Sequence, residues 1–319
     1  MSTIRVEGLT RRFRESAVPA VDGVSFEVGE GELVVFLGPS GSGKTTLLKM
    51  VNRLYEPTSG AIFIDGTNIL EIPKTRLRRS IGYVIQQTGL FPHMTVEENI
   101  ATVPKLLGWD KARIRRRIDE LLEMVSLPLS FHRRYPRQLS GGEQQRVGIA
   151  RALAVDPGIM LMDEPFGALD AITRARMQDE FLAIQRRLAK TILFVTHDVD
   201  EALRLADRIL VLRDGRVEQF APPLEILTHP ANEFVAILVD ADDVLRRLSL
   251  LCARDALEPL DWRAPPRSTI PANRNLRVAL SDLLKSQEEA LSVVDDDGQL
   301  LGLLTFETLH RIIDARHEP

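Results

Sequence analysis

The chain has 319 residues, 44% hydrophobic and 27% charged, and a formal net charge of −4 at pH 7. This length suits one large globular domain plus a smaller one, and the charge gives no general reason to expect nucleic-acid binding. The single cysteine, Cys252, excludes an internal disulfide and fits a reducing compartment. No apolar run approaches the roughly 18–20 residues that span a bilayer, and the N-terminus lacks a secretory signal. We therefore expect a cytoplasmic protein that reaches a membrane only through a partner.

Three strands are predicted in the first part of the chain. Apolar residues alternate at Ile4, Val6 and Leu9, which predicts an edge strand, and residues 24–28 predict a second strand. The apolar run 33–37 is rich in strand formers and has the length of one buried strand. It leads directly into a glycine-rich loop, after which a helix is predicted.

That loop has the form G-x-x-x-x-G-K-T, and it lies between a strand and a helix, the context in which this motif indicates phosphate binding. Its glycines let backbone N–H groups approach phosphate oxygens, and the helix that begins near Lys44 adds the positive end of its dipole. Lys44 supplies a charge for the β- and γ-phosphates, and Thr45 offers a hydroxyl ligand to Mg²⁺. The loop residues are Gly38, Pro39, Ser40, Gly41, Ser42, Gly43, Lys44, Thr45 and Thr46. The sequence therefore predicts a nucleoside triphosphate site.

A hairpin and another buried strand are predicted next. Ile62 and Ile64 alternate into an Asp65-Gly66 turn, which is typical of a hairpin. Residues 81–85 predict a strand that ends at Gln86, and the carboxyl end of a strand is where α/β sheets place ligand-contacting groups.

The stretch that follows predicts a helical subdomain, at about residues 92–157, inserted into an α/β domain. Thr95 and Glu98 have the spacing of a capping box. The same spacing recurs at Ser140 and Glu143, where Gly141 and Gly142 stand in the first helical turn and are poor helix formers. Two glycines there make sense if an anion approaches the helix N-terminus, so this end predicts a second phosphate-binding position.

Two further strand ends carry polar groups. Residues 159–162 predict a buried strand that ends in Asp163 and Glu164, and adjacent carboxylates there are costly unless they serve a cation or a reaction. Asp163 is placed to hold Mg²⁺ and Glu164 to polarise the attacking water. His197 follows the strand predicted at 191–195, which directs it to the same site.

Together these segments resemble the ATP-binding subunit of an ATP-binding-cassette (ABC) transporter over about residues 4–240. The matching motifs are the P-loop at 38–46, Gln86, the signature at 139–145, Asp163-Glu164, the D-loop at 168–170 and the switch histidine at 195–198. The resemblance implies an α/β P-loop NTPase fold with a helical subdomain, and an ATP hydrolase that uses ATP and Mg²⁺.

The resemblance also assigns roles to residues. It implies catalysis by Glu164, His197 and Gln86, and metal binding by Thr45, Gln86 and Asp163. Two copies would close head-to-tail around two ATP molecules, with Ser140, Gly141 and Gly142 of the signature end contributed by the other copy. The match to the D-loop implies that Asp170 also belongs to the nucleotide site. Phe13, which by itself could stack on adenine or cap the core, falls on the adenine-stacking position of the family.

The phrase at residues 50–60 is similar to importers of quaternary ammonium osmoprotectants such as glycine betaine, carnitine and choline. Residues 268–319 resemble a single cystathionine-β-synthase-type (CBS) repeat, a small α+β module, after a linker at 241–267. In this repeat Thr308 stands where nucleotide-binding repeats often carry aspartate, and Leu301 and Leu303 are expected on an uncovered strand face. The module is then either regulatory, reporting ionic strength, or a packing appendage.

The expected function is to energise import through separate integral-membrane permease subunits, with an extracytoplasmic binding protein acting indirectly. The expected location is the cytoplasmic face of the cell membrane, as a homodimer of ATPase subunits, without nucleic acid as a partner. The alternatives are an importer ATPase for another small solute, a soluble ABC ATPase of translation or DNA repair, and a non-hydrolysing nucleotide-gated module. The last is disfavoured because Glu164 and His197 are both present.

Overall fold

The structure, a computed structural model, describes residues 2–86, 89–258 and 266–314. The chain forms two compact units, Met1–Ala221 and Pro222–Pro319. None of the helices in the described ranges combines the length and apolar character needed to cross a bilayer.

The first unit contains two sheets. Its strands are β1 (Ile4–Arg11), β2 (Val21–Val28), β3 (Leu33–Leu37), β4 (Ser59–Ile64), β5 (Thr67–Asn68), β6 (Ile81–Val84), β7 (Ile159–Asp163), β8 (Thr191–Val195), β9 (Arg208–Arg213) and β10 (Arg216–Ala221). The antiparallel sheet has the order β2-β1-β4-β5, and the larger sheet has the order β10-β9-β3-β8-β7-β6. In the larger sheet the neighbours from β9 to β6 are parallel, so the strands that precede the predicted site residues all end at one edge.

The prediction of an edge strand at the N-terminus was wrong. β1 pairs with β2 on one side and with β4 on the other, so it lies inside its sheet. Alternation of apolar residues shows that one face of a strand is buried, and it carries no information about whether both edges are paired.

Helices connect the strands of the first unit. They are α1 (Lys44–Val51), α2 (Lys74–Ser80), α3 (Val96–Ile100), α4 (Thr102–Leu106), α5 (Lys111–Met124), α6 (Gly141–Ala152), α7 (Ala171–Leu188) and α8 (Val199–Leu205). In the described residues between β6 and β7 the regular elements are all helical, as predicted for the helical subdomain. The capping boxes predicted at Thr95 and Ser140 are both present.

The core of the first unit lies under the P-loop. All five residues of β3 are buried, because a strand that has parallel neighbours on both sides and other elements packed on both faces has no solvent-facing side. Phe36 of β3 meets Phe26 of β2 edge-to-face, with ring centroids 5.5 Å apart, which joins the two sheets. Leu47 and Leu48 of α1 are fully buried in the same core, so the helix that follows the P-loop is held rigidly.

The second unit is smaller and has its own core. Its elements are α9 (Pro223–Thr228), α10 (Glu233–Val239), α11 (Val244–Leu250), β11 (Thr269–Pro271), α12 (Leu276–Ser286), β12 (Ala290–Val294), β13 (Leu300–Thr305) and α13 (Phe306–Asp314). β11 runs parallel to β12, and β12 and β13 form the predicted hairpin. Gly298 in its turn has φ +78°, a left-handed conformation that favours glycine.

The division between the units differs from the predicted one, because it falls after Ala221 and not at 240. The segment 241–267 was predicted to be a linker, but it contains α11. Leu248, Ala253 and Ala256 of this segment are buried in the core of the second unit. Residues 259–265 of the predicted linker and 315–319 of the predicted repeat lie outside the described residues.

The strand β13 is covered more completely than the sequence suggested. Leu301 is 45% exposed, as expected, but Leu303 is fully buried, so the expectation of an uncovered Leu303 was wrong. Glu258 pairs with Leu303 through two backbone bonds, N–H to O distances of 2.8 and 3.2 Å in the two directions. The chain before the repeat therefore pairs with the edge of β13. The interpretation of this unit as a CBS-type repeat stays a prediction.

Candidate functional site

The P-loop is held in a conformation that requires glycine at two positions. Gly38 has φ +152°, and a Cβ there would lie 2.2 Å from the carbonyl oxygen of Leu212. Gly43 has φ +103°, and its Cβ would lie 2.3 Å from the carbonyl oxygen of Ala20. Both distances are far below van der Waals contact, so any side chain at either position would displace the P-loop from Leu212 of β9 or from Ala20.

Lys44 is buried in the loop, with 6% of its surface exposed. Its ammonium donates to the carbonyl oxygens of Gly38 at 2.7 Å and Pro39 at 2.8 Å. Burial lowers the pKa of Lys44, and the nearby carboxylates of Glu164 and Asp163 act in the opposite direction. Because both acceptors are neutral carbonyls, the ammonium charge is available to an anion in the loop.

The described structure also leaves a polar group in this loop without a hydrogen bond. The Ser42 hydroxyl is buried and has no partner among the described residues. A buried hydroxyl normally finds a partner, and one aimed into a phosphate-sized loop is suited to a phosphate oxygen. The loop therefore fits a nucleotide phosphate chain on its own geometry.

Thr45 and Asp163 meet at the carboxyl end of β7. The Thr45 hydroxyl donates to Asp163 Oδ1 at 2.8 Å. Burial raises the pKa of Asp163, while the bond from Thr45 and the charge of Lys49 lower it. A hydroxyl and a carboxylate side by side are the oxygen ligands that Mg²⁺ prefers, so these two residues fit the predicted metal site.

Glu164 is the centre of the polar groups opposite the P-loop. Gln86 Nε2 donates to its Oε2 at 3.0 Å, and His197 Nδ1 lies 3.3 Å from its Oε1. Glu164 itself has φ +44°, a conformation that costs energy for a residue with a side chain. Strain of this kind persists where it places a functional group, and here it directs the carboxylate toward the loop.

These groups surround one cavity of about 420 Å³. It is lined by Ala20, Ser40, Gly41, Ser42, Gly43, Lys44, Thr45, Thr46, Gln86, Glu164 and His197. The structure thus brings the P-loop together with all three predicted catalytic side chains, which come from three different strand ends. Among the described lining residues, Ala20 was not predicted from the sequence, because an alanine in a loop carries no recognisable motif.

Comparison with known proteins identifies the family. A family model described as "ABC transporter" matches residues 21–167. The osmoprotectant import ATP-binding protein OsmV of Salmonella typhimurium is 50% identical over 305 residues, which cover 94% of this chain and 78% of OsmV. This chain belongs to the ABC transporter ATP-binding proteins. The glycine betaine uptake system ATP-binding protein YehX of Escherichia coli is 48% identical over 92% of this chain and 95% of its own length.

Solved structures agree with the fold of this ABC ATPase. The dimeric ATP-binding cassette MJ0796, in a post-hydrolysis state bound to ADP and Pi, has a TM-score of 0.62 at 36% identity, covering 69% of this chain and 98% of that one. The predicted fold class, the P-loop NTPase of an ABC cassette, is confirmed. As a member of this family the protein binds ATP and hydrolyses it to power transport.

Some predicted site residues in the described part of this ABC ATPase do not line the cavity of their own chain. Gly38, Pro39 and Asp163 are among them, but each is hydrogen-bonded to Lys44 or Thr45, which do line it. The others are Phe13, Ser140, Gly141, Gly142 and Asp170. Phe13 packs edge-on against Tyr55 at 5.3 Å, and the Arg11 guanidinium lies over its ring at 4.7 Å. Its predicted role in adenine stacking is untested by these contacts.

The two glycines at the signature end are explained by close packing as well as by the predicted anion. A Cβ on Gly142 would lie 3.1 Å from Thr173 Cγ2, and one on Gly141 would lie 3.7 Å from Leu169 Cδ2. The first turn of α6 therefore approaches the D-loop and the start of α7 closely. The sequence could not show this, because the partner helix lies elsewhere in the chain.

Asp170 and Ser140 both act as helix caps. Asp170 accepts from the N–H groups of Ile172 and Thr173. A side-chain hydrogen bond with Thr173, together with these backbone bonds, lowers the pKa of Asp170. Ser140 Oγ accepts from the Glu143 N–H at 3.3 Å, and the Ser140 N–H donates to Glu143 Oε2 at 2.7 Å. Glutamate here completes the capping box, as expected from the sequence.

Proposed function

We propose that this ABC ATPase uses ATP and Mg²⁺ to energise import of a quaternary ammonium osmoprotectant through a separate membrane permease. The observation that carries the proposal is the placement of Glu164, held by Gln86 and His197 across the cavity from the P-loop. The solute class comes from the names of relatives. Besides OsmV and YehX, the glycine betaine/carnitine/choline transport ATP-binding protein OpuCA of Bacillus subtilis is 48% identical over 91% of this chain and 75% of its own length.

Each residue in the cavity has a chemical task in this proposal. The P-loop N–H groups and Lys44 bind the phosphates, and Thr45 and Asp163 hold Mg²⁺, with Gln86 as a further ligand. The ion, when bound, neutralises charge on the phosphate oxygens. Glu164 accepts the proton of the attacking water, and His197 orients that carboxylate.

The proposal includes a second copy of the chain. Ser140, Gly141, Gly142 and Asp170 do not line the cavity of their own chain. The first three form an N-terminal helix end that suits an anion, and Asp170 is exposed in the adjacent D-loop. The related cassette MJ0796 is dimeric in its solved structure. We propose that two copies close head-to-tail and that each supplies these four residues to the ATP held by the other.

Phe13 is proposed to stack on the adenine ring. Arg11 lies over its ring at 4.7 Å, so adenine would take the opposite face. The ring is half-buried, which fixes its position while leaving one surface for a planar ligand.

The permease contact is proposed for the surface next to Gln86. Two apolar side chains close to Gln86 in the chain are exposed, Ile85 at 37% and Phe91 at 41%. Exposed apolar side chains beside a site element favour a protein partner. Such a contact would hold the ATPase at the cytoplasmic face of the membrane.

The proposal is tested by reconstituting the ATPase with its permease and solute-binding protein in vesicles. Hydrolysis and uptake should be stimulated by glycine betaine, carnitine or choline, and not by an amino acid without a quaternary ammonium group, such as histidine. Stimulation by a different solute would reject the solute class and leave the ATPase assignment standing. Hydrolysis that no permease or solute affects would favour a non-transport ABC ATPase.

A further inference from the structure

One arginine connects the two loops that flank the catalytic site. Arg174 lies in the first turns of α7. Its Nη2 donates to the carbonyl oxygen of Leu169 at 3.1 Å, and its Nη1 donates to Asp198 Oδ2 at 3.2 Å. Leu169 belongs to the D-loop, directly before Asp170, and Asp198 directly follows His197. A single side chain thus bridges the D-loop and the loop of the switch histidine.

We infer that Arg174 is a positioning residue for ATP hydrolysis, which makes these two loops move together. The inference rests on the proposed role of His197. His197 is 63% exposed, and the contact that the structure gives its ring is the one with Glu164 at 3.3 Å. Because the imidazole ring has so little contact, its orientation depends on the backbone of His197. The residues next to His197 in the chain hold that backbone.

Asp198 fixes that backbone from the carboxyl side. Its Oδ1 caps α8 by accepting from the Glu201 N–H at 3.1 Å, and its own N–H donates to Thr196 Oγ1 at 3.0 Å. Its second oxygen, Oδ2, is the one that Arg174 binds. One oxygen of the carboxylate therefore caps α8 and the other binds Arg174, so the bond to Arg174 can be removed without removing the cap.

The geometry requires arginine. The guanidinium reaches a carbonyl and a carboxylate with two nitrogens of one planar group, an arrangement that a lysine ammonium on its flexible stem does not reproduce. The Arg174 side chain is 32% exposed and that of Asp198 34% exposed, so this ion pair is partly shielded from water. Nε of Arg174 is buried without a partner among the described residues, a cost that the two other bonds offset.

The packing of α7 on α8 does not depend on Arg174. Farther along α7, Gln178 Nε2 donates to Glu201 Oε1 at 3.0 Å, and Arg204 Nη1 donates to Gln178 Oε1 at 3.1 Å. Glu201 is 5% exposed, so this second connection is in the interior. Loss of the arginine should uncouple the two loops while the helices stay in place.

The consequence concerns catalysis more than binding. The D-loop is part of the surface that the proposed second copy completes, so closure of the dimer displaces it. Through Arg174 that displacement reaches the loop of His197 and then the carboxylate of Glu164. Without the bridge, ATP still binds the P-loop, but Glu164 is not brought into position when the dimer closes.

The test uses the full-length protein and compares Arg174→Ala, Arg174→Lys, Asp198→Ser and the Arg174→Ala/Asp198→Ser double variant. Serine keeps the N-cap but is too short to reach the arginine. The matched control is Arg176→Ala, on the same helix, where the arginine is 76% exposed and pairs with Glu180. The measurements are kcat and KM for ATP, the Kd of a fluorescent ATP analogue, and the Tm.

The expected result is a kcat lowered about tenfold in Arg174→Ala and in Asp198→Ser, because small displacements of catalytic groups cost this much or more. The Kd and Tm should stay near wild type, the double variant should be no slower than either single one, and lysine should not restore turnover. Arg176→Ala should behave as wild type.

Three results would overturn the inference: a normal kcat in Arg174→Ala, additive losses in the double variant, or parallel losses of nucleotide affinity and Tm, which would indicate a structural role only. The variant His197→Ala distinguishes failure of the proposed role of His197 from failure of the inference about Arg174. If His197→Ala hydrolyses ATP normally, the proposed role of the histidine has failed. If His197→Ala is slow and Arg174→Ala is not, only the inference about the arginine has failed.

Discussion

At the scale of single residues, the site depends on backbone conformations that only certain residues tolerate. Glu164 adopts φ +44°, which disfavours residues with side chains. The strained conformation is stabilised by the Glu164 N–H, which donates to the carbonyl oxygen of Val195 in the neighbouring strand at 3.0 Å. Its side chain in turn is held by Gln86 and His197. The protein stabilises an unfavourable conformation at the one position where the proposed base must stand.

Replacing Glu164 by glutamine should therefore remove the base and little else. Glutamine has the same shape, so the loop conformation should survive, but its amide does not accept a proton at neutral pH. We expect Glu164→Gln to bind ATP normally and to lower kcat by about 10²-fold or more, the usual contribution of a positioned base. The measurement is steady-state hydrolysis together with the Kd for ATP.

Glu30→Gln, in the exposed turn before β3, is the matched control and should hydrolyse ATP at the wild-type rate. Turnover in Glu164→Gln within a factor of a few of wild type would remove Glu164 from the mechanism.

At the scale of helices and strands, α6 and β6 are in unusually close contact. A Cβ on Gly82, in the middle of β6, would lie 2.7 Å from the carbonyl oxygen of Ala152 at the end of α6. The strand leads to Gln86 and the helix starts at the signature, so this contact fixes two site elements relative to each other. Gly82 has no left-handed φ, so its glycine is explained by packing alone.

We expect Gly82→Ala to lower the free energy of unfolding by about 1–3 kcal/mol, the usual range for overpacking in a core. Urea unfolding of the purified protein measures it. Gly29→Ala is a suitable comparison, because its Cβ would meet only the flexible end of Glu32 at 3.5 Å and should change stability little. Equal stability of the two variants would show that α6 can move away from β6 at no cost.

The elements that the sequence predicted well are those with local signals. Strands β3, β7 and β8, the capping boxes at Thr95 and Ser140, and the hairpin at Gly298 follow from periodicity and turn chemistry within a few residues. The cavity residues were found because their motifs are contiguous. What the sequence predicted wrongly or missed depends on distant contacts: the pairing of both edges of β1, the burial of Leu303, and the bridge made by Arg174.

At the scale of the whole molecule, the proposed site needs two chains. If Ser140 acts on the ATP of the other copy, a Lys44→Ala chain and a Ser140→Arg chain should complement each other. Their heterodimer has one intact site and one doubly damaged site, so hydrolysis should reappear on mixing, whereas each variant alone stays inactive. Mixing curves of ATPase activity measure this. The shared site would be contradicted if ATPase activity did not recover at any mixing ratio and wild-type protein shown to be monomeric was fully active.

For the second unit, the question is whether the hairpin turn responds to ionic strength, as a regulatory module would, or the unit only adds packing. The turn of its hairpin is acidic, but Asp295 is committed to the turn itself: its Oδ1 accepts from the N–H groups of Asp297 at 3.0 Å and Gln299 at 2.7 Å. Asp296 and Asp297 are exposed and remain free to respond to ionic strength. The proposed regulatory role would therefore rest on these two carboxylates.

Truncation distinguishes the roles of this unit, and the place of the cut matters. The P-loop, Gln86, Glu164 and His197 all lie in the first unit, and the described apolar cluster that contains Phe36 of β3 and Leu47 of α1 consists of residues of that unit. A chain ending after Ala221 should therefore keep ATP hydrolysis.

A chain ending after Pro266 should be less stable than either this shorter chain or the whole protein. It retains Leu248, Ala253 and Ala256 but removes the strands and helices on which they pack, leaving apolar surface exposed. Thermal melting and light scattering of the three proteins measure the order of stability. If the chain ending after Pro266 is as stable as the whole protein, these three residues are buried against something other than the second core. If transport by the chain ending after Ala221 keeps its full dependence on ionic strength, the second unit does not sense it.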